Sequence, residues 1–382
     1  MIIKKGCVRM EIEKTIAINS DTAIETSDDF SSEENSRQPV PVTRANAIVY
    51  ILLERIYSNN DETTQDDRLE LQKFIHDFSQ QDYFDGSADE FHNFSVELAR
   101  WGEYCLACDV LDVALNKKKG GFCKNCDLLA DYLQYGVNCG RVKEAKKHFK
   151  TLMGISRRRW TWRGFSFVVH FLQTLDELDE FDNSIKQMLT TIDCSGVTYP
   201  DIELHEKVML ALVQEFKKYQ PSSEEPYQIE SQVYLYLKDE AKTLAILKEA
   251  ETAIVVTPKC SLRRADLLYD RGNYVEANEA IHKALIDSDQ THSNVNIGYL
   301  HYLLAKCIIQ STAQQGNTLS EKDIDEVFNH FNKALDNFAD DKTNDHQQRK
   351  QVIRRNVKDI LSDYEGVEVP ERYQLLFELL ED

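Results

Sequence analysis

The chain has 382 residues, 42% of them hydrophobic, and carries a net charge of −20 from 45 basic and 65 acidic side chains. That apolar content supports a core, while so acidic a surface repels nucleic acid and anionic membrane unless its cations are segregated. No run approaches the roughly 20 apolar residues of a membrane span, and seven prolines and 14 glycines leave a composition that favours helix, without long strand-type alternation.

Residues 1–42 read as a flexible acidic and polar tail, with Ser, Asp, Glu and Thr dominating from Asn19 to Ser36 and Pro39 and Pro41 following. The opening MIIKKGCVRMEIEK has no apolar signal core, and Glu11 and Glu13 argue against a mitochondrial presequence. Nine cysteines, an odd number, then read as reduced thiols, and a cytoplasmic location is expected. Helix is predicted from near Thr43, where AIVYILLERIY is apolar around most of its circumference and so should be buried, with a second helix at Arg68–Phe78.

A phrase with helical-hairpin spacing then recurs. It reads Gly102, Tyr104, Ala107, Leu111, Ala114, Leu115; then Gly140, Val142, Ala145, Phe149, Leu152; and later Gly272, Tyr274, Ala277, Ile281, Ala284, Leu285. Glycine suits the turn between two antiparallel helices, where positive φ costs it least. Alanine lets the second helix approach its neighbour, and the larger residues fill the space between layers. The first helix of each pair shows as Phe91, Phe94, Leu98; Leu129, Tyr132, Leu133; and Leu262, Ala265, Leu268. The first three units start near residues 88, 126 and 165, spacings of 38 and 39, the third being degenerate, with Phe181, Ser184 and Met188 at its signature positions. Next come a loop at Asp193–Pro200 and a helix at Ile202–Tyr219. PSSEEP, Pro221–Pro226, is the best internal break and divides an expected 43–220 stack from a 227–382 stack with capping helices. Ile229–Ala253 reads as one helix. A last unit opens at Tyr299–Ile309 and closes with Phe328, Phe331, Ala334 and Leu335 after a polar insertion, Ser311–Ser320. Residues 345–364 and ERYQLLFELLED close the chain as helices.

The phrase resembles the tetratricopeptide repeat, with Ala265, Gly272, Tyr274 and Ala277 at that family's small, glycine, aromatic and small positions. Cys139–Met153 (CGRVKEAKKHFKTLM) and Gly196–Ile202 (GVTYPDI) resemble the related pentatricopeptide repeat equally well. The resemblance covers roughly residues 88–340. It implies an all-α chain, an α-solenoid of antiparallel helix pairs with a right-handed superhelix, whose concave groove grips another molecule. Groove positions carried over from it are Lys259, Leu262, Asp266 and Tyr269 in one unit, and Asp127, Ala130, Gln134 and Asn138 in another. These lack the lysine and asparagine set of the type that clamps a terminal carboxylate.

Three residue groups invite a chemical reading. Cys105/Cys108 and Cys123/Cys126 form two CxxC pairs close to a four-cysteine zinc spacing, but Cys105 and Cys108 flank Ala107 on a continuous helix, so ordinary thiols and no metal site are expected. Arg157, Arg158, Arg159, Trp160, Trp162 and Arg163 concentrate cations and aromatics in an acidic chain. Arginine forks suit carboxylates and phosphates and tryptophan offers stacking surface; the alternative is Trp160 filling a seam while the arginines cap helices. Arg349, Lys350, Arg354, Arg355 and Lys358 line a late helix, as a solvated face or a docking surface for an acidic partner. No catalytic triad, metalloprotease motif or phosphate loop appears, so no catalytic residue and no cofactor is named.

The expected function is a non-enzymatic scaffold or adaptor that holds a peptide or partner protein in its groove. Two other readings stand beside it: RNA binding of the pentatricopeptide kind, which the net charge opposes, and a regulatory subunit or peptide receptor that flexes at PSSEEP. No membrane association is expected.

Overall fold

The computed structural model describes residues 40–58, 64–82, 84–291, 295–317 and 319–338, together with 351, 353–355 and 358. The expected tail (residues 1–39), most of the 345–364 helix and the ERYQLLFELLED segment lie outside these residues. The described residues hold fifteen α-helices, one 3-10 turn and no strand. They divide into two compact units, one reaching to Lys238 and one starting at Asp239.

The first unit runs α1 Val42–Ser58, α2 Thr64–Ser79, α3 Ala88–Arg100, α4 Tyr104–Leu115, α5 Cys126–Asn138, α6 Val142–Met153, α7 Trp162–Glu177, α8 Asn183–Leu189, α9 Leu204–Tyr219 and α10 Glu225–Tyr236. Helices pair with their chain neighbours (α1 on α2, α3 on α4, α5 on α6, α9 on α10), and α3, α5 and α7 pack side by side. The expected hairpin turns are present. Gly102 (φ +82°) and Gly140 (φ +79°) are left-handed, and the amide that follows each donates five residues back, Glu103 N to Leu98 O at 3.0 Å and Arg141 N to Gly136 O at 2.7 Å. This double-bonded C-terminal turn closes a helix and reverses the chain. Ala107 and Ala145 are fully buried behind those turns. Gly136 brings α5 and α6 together: a Cβ there would lie 3.2 Å from the Ala145 Cβ.

The degenerate third hairpin uses the same turn without glycine. Asp179 takes φ 54°, and Glu180 N donates to Leu175 O at 2.8 Å. Asp182 then caps α8 by accepting from Ser184 N and Ile185 N. The helix thus starts at Asn183, two residues past Phe181, so Ile185 and Leu189 are buried and Ser184 is exposed.

Two other sequence expectations are corrected. The segment Ile229–Ala253 is not one helix: Lys238 adopts φ 59° after α10, and Asp239 caps a new helix by accepting from Lys242 N at 2.9 Å. Helix α1 is buried on one side only. It packs on α2 and α3 through Val42, Ala45, Val49, Leu52, Leu53 and Ile56, which leaves Tyr50, Ile51 and Tyr57 exposed.

Aromatic rings supply the largest fully buried side chains of this unit's core. Phe78 meets Phe84 at 4.9 Å and Phe94 at 5.5 Å, and Phe165 stacks on Phe216 at 4.4 Å. Each such ring contributes about 1.5–3 kcal/mol through burial.

The second unit runs α11 Glu240–Ala253, α12 Pro258–Asp270, α13 Tyr274–Thr291, α14 Ile297–Gln314 and α15 Glu321–Phe338. Gly272 turns α12 into α13 with φ +76°. Ala265, Leu268, Ala277, Ile281 and Ala284 pack with Leu300, Leu304 and Cys307 of α14. Phe328, Phe331 and Ala334 of α15 form a second cluster that includes Ile353. Ile353 is thus buried as the predicted amphipathic helix requires, and Arg354, Arg355 and Lys358 are exposed; Arg349 and Lys350 lie outside the described residues.

Candidate interaction surface

The basic segment forms the link between α6 and α7, with Arg157–Arg159 in the 3-10 turn. Its members separate into two layers. Arg157 turns inward: its Nη1 donates to the carbonyls of Met153 at 2.8 Å and Ile155 at 2.9 Å. These are groups that the end of α6 leaves without helical partners. The same guanidinium lies 4.4 Å from the Trp160 ring centre, and its Nε is buried without a hydrogen-bond partner. Trp160 is 5% exposed. It rests on Gly164, where a Cβ would come within 3.1 Å of its own Cβ, and meets Phe165 at 5.1 Å. Trp160 fills a seam and Arg157 caps a helix, the structural roles weighed from the sequence.

The outer layer is Arg158, Arg159 and Trp162, all exposed. Trp162 keeps 39% of its surface accessible at the start of α7. Arg158 acts on Tyr219 of α9, whose pKa is raised first by its hydrogen bond to Glu215, with Arg158 opposing.

Arg163 links the two layers. Its guanidinium lies 5.2 Å from the Trp162 ring centre and donates from Nη1 to Asp131 at 3.1 Å. Asp131 is fully buried and meets His92 Nδ1 at 2.5 Å with its other oxygen. One carboxylate thus joins α3, α5 and α7. Beside it, Thr161 donates its hydroxyl to Asp127. Sequence reasoning singles out Asp127 and Arg163 but not Asp131 or His92.

Of the helix-face positions carried over from the repeat resemblance, Asp127 and Asp266 are held by such ties. Ala130 is fully buried and Gln134 is 7% exposed, its Oε1 without a hydrogen-bond partner, whereas Asn138 is exposed. In the second unit Lys259 lies in the first turn of α12 and is partly exposed. Asp266 accepts from the Tyr299 hydroxyl at 2.7 Å. Tyr269 packs edge-on against Tyr274 at 5.3 Å, with Lys306 Nζ 5.2 Å from its ring centre; burial pushes its hydroxyl up to about 12. The Arg157–Arg163 group belongs to the first unit, and Lys259, Asp266 and Tyr269 to the second.

Three of the four CxxC residues take helical places. Cys105 and Cys108 lie on α4, Cys126 opens α5, and Cys123 precedes it. Among the described residues no group of three or more His, Cys, Asp or Glu side chains is placed to hold a metal ion, and no helix is long and apolar enough to cross a membrane. His148 packs on Tyr132 at 4.2 Å, and burial holds it down to about 4.

No protein-family model and no curated protein sequence matches this chain. Among solved structures, it is similar to a thermophilic TPR protein of Thermus thermophilus, at 18% identity and a TM-score of 0.38, covering 58% of this chain and 100% of that one. It is also similar to a human IFIT1 dimer with PPP-AAAA, at 12% identity and a TM-score of 0.34, covering 89% of this chain and 71% of that one. A human IFIT1 dimer with m7Gppp-AAAA aligns at 13% identity and a TM-score of 0.34, over 84% of this chain and 76% of that one. Alignments this loose transfer no residue roles. Among the described residues, the helix pairs, with their left-handed glycine turns and buried alanines, form an all-α array of TPR-like helical repeats.

Proposed function

We propose that the chain is a non-catalytic binding scaffold and that Arg158, Arg159 and Trp162 form a docking surface for an acidic peptide segment of a protein partner. The observation that supports this is the layering at the α6–α7 link. Arg157 and Trp160 are fixed beneath, while two arginines and a tryptophan stay exposed in a chain of net charge −20. Guanidinium forks pair with carboxylates, and an indole face adds apolar contact at low conformational cost. Arg163, held by Asp131, sets the indole plane from one side.

The test is titration of a fluorescent peptide rich in Asp and Glu, with one central aromatic, onto the wild type and onto R158E/R159E and W162A. Binding that weakens at least tenfold in both variants, with helicity by circular dichroism unchanged, supports the surface. Equal affinity in all three proteins refutes it. RNA binding is the competing outcome: retention of single-stranded RNA on a filter at low salt, lost as salt rises, with no peptide binding, would replace this reading.

A further inference from the structure

We infer that Cys139 and Cys108 form a dithiol that a hydroperoxide converts to a disulfide, a modification site tying α4 to the end of α5. Cys105 and Cys108 sit three residues apart, on one face of α4. Cys139 follows the last residue of α5. Its sulfur lies 3.8 Å from the Cys108 sulfur, and the Cys105 Sγ is 3.9 Å from the Cys139 carbonyl oxygen. Sulfurs at that separation are in van der Waals contact, and a bond of roughly 2.05 Å requires them to close the remaining gap. The CxxC spacing hides this partnership, because the third sulfur arrives one hairpin later.

The three thiols differ in access. Cys139 is partly exposed, Cys105 exposed and Cys108 fully buried. A peroxide therefore reaches Cys105 and Cys139 ahead of Cys108, and of these two it is Cys139 whose sulfur lies against Cys108. Arg141, two residues beyond Cys139, is anchored by Asp109 at 2.6 Å and Asp112 at 3.2 Å. Burial raises the pKa of Cys105 and Cys108, Cys139 raises both further, and the Arg141 charge works in the opposite direction.

The chemistry balances. The Cys139 thiolate attacks one peroxide oxygen, the O–O bond breaks, and the departing oxygen takes up a proton as water or alcohol. The sulfenic acid left on Cys139 is attacked by the Cys108 sulfur, which gives up its proton; the S–O bond breaks and water leaves. Two thiols lose two electrons, and the peroxide gains them.

The experiment treats the full-length reduced chain with hydrogen peroxide, blocks remaining thiols with maleimide, and reads intact mass and non-reduced peptide maps. The wild type should lose two hydrogens and yield a peptide pair linked through Cys108 and Cys139, and dithiothreitol should reverse the change. C105S should retain the linkage, while C108S and C139S should lose it. C108A, checked for helicity, provides a second buried variant should serine perturb the core. A Cys105–Cys139 linkage, or oxidation that stops at sulfinic acid on Cys139 alone, would overturn the assignment.

Discussion

Asp131→Ala removes the carboxylate that three helices share. The Asp131 side chain is fully buried, between the Arg163 guanidinium at 3.1 Å and the His92 ring at 2.5 Å, and each of those partners is 19% exposed. Stripping one member from a buried pair leaves the other charge uncompensated, at a typical cost of about 3–5 kcal/mol. Arg163 and His92 both reach the edge of solvent, so rehydration should hold the loss near the lower end, about 3 kcal/mol. Asp131→Asn keeps one acceptor and should lose about 1–2 kcal/mol. The double variant D131A/R163M no longer strands a cation, so its loss should fall short of the sum of the two single losses by about 1–3 kcal/mol. Urea unfolding followed by far-ultraviolet circular dichroism measures each value, with tryptophan emission as a second probe near the α6–α7 link. A D131A midpoint within about 0.5 kcal/mol of the parent, or a strictly additive cycle, would show that this carboxylate does not hold the three helices together.

The left-handed turns give a paired test: Gly140→Ala places a Cβ at φ +79° and should cost about 1–2 kcal/mol, whereas Asp179→Gly at φ 54° relaxes a non-glycine residue and should stabilise by several tenths of a kcal/mol; equal effects in thermal melts would contradict the turn analysis. His330 supplies the pH dependence. Its Nδ1 lies 3.1 Å from that of His301, and Lys333, His282 and Glu326 also act on it. Burial first, then His301, hold its pKa down to about 4 from 6.5. Below pH 6.5 the unfolded chain takes up a proton that the folded ring refuses, so stability should fall as pH drops from 6.5 toward 4 and level off beneath it. Allowing for the ring's partial contact with solvent, the loss is about 2 kcal/mol. H330Q should flatten that part of the urea-midpoint profile, and an unchanged slope would refute the assignment.

The sequence exposes the hairpins because glycine, alanine and the large apolar residues must sit at fixed offsets for two helices to turn and pack. Gly102, Gly140 and Gly272 follow that rule, and all three turns are readable from the residues alone. Asp179 and Lys238 escape it: each takes a left-handed conformation that its side chain does not advertise. Sequence pattern therefore puts the third signature on Ser184 and Met188 where Ile185 and Leu189 are the buried residues, and fuses two helices into one. The α6–α7 segment stands out by composition, but nothing in one dimension separates Arg157 from Arg158. Only the carbonyls of Met153 and Ile155, reached by the first and not the second, divide the buried layer from the open one. Asp131 stays hidden because its partners lie 39 and 32 residues away, on helices whose side-by-side packing no local pattern encodes.

Those distant partners recur at nearly one interval. Arg141 reaches Asp109 across 32 residues, Lys146 reaches Glu180 across 34, Thr161 reaches Asp127 across 34, and Tyr299 reaches Asp266 across 33. Each of these polar ties fastens one hairpin to the next. Excising or duplicating a single hairpin would strand donors and acceptors on both flanks at once. A change in the number of hairpins would therefore require compensating replacements on either side of the cut.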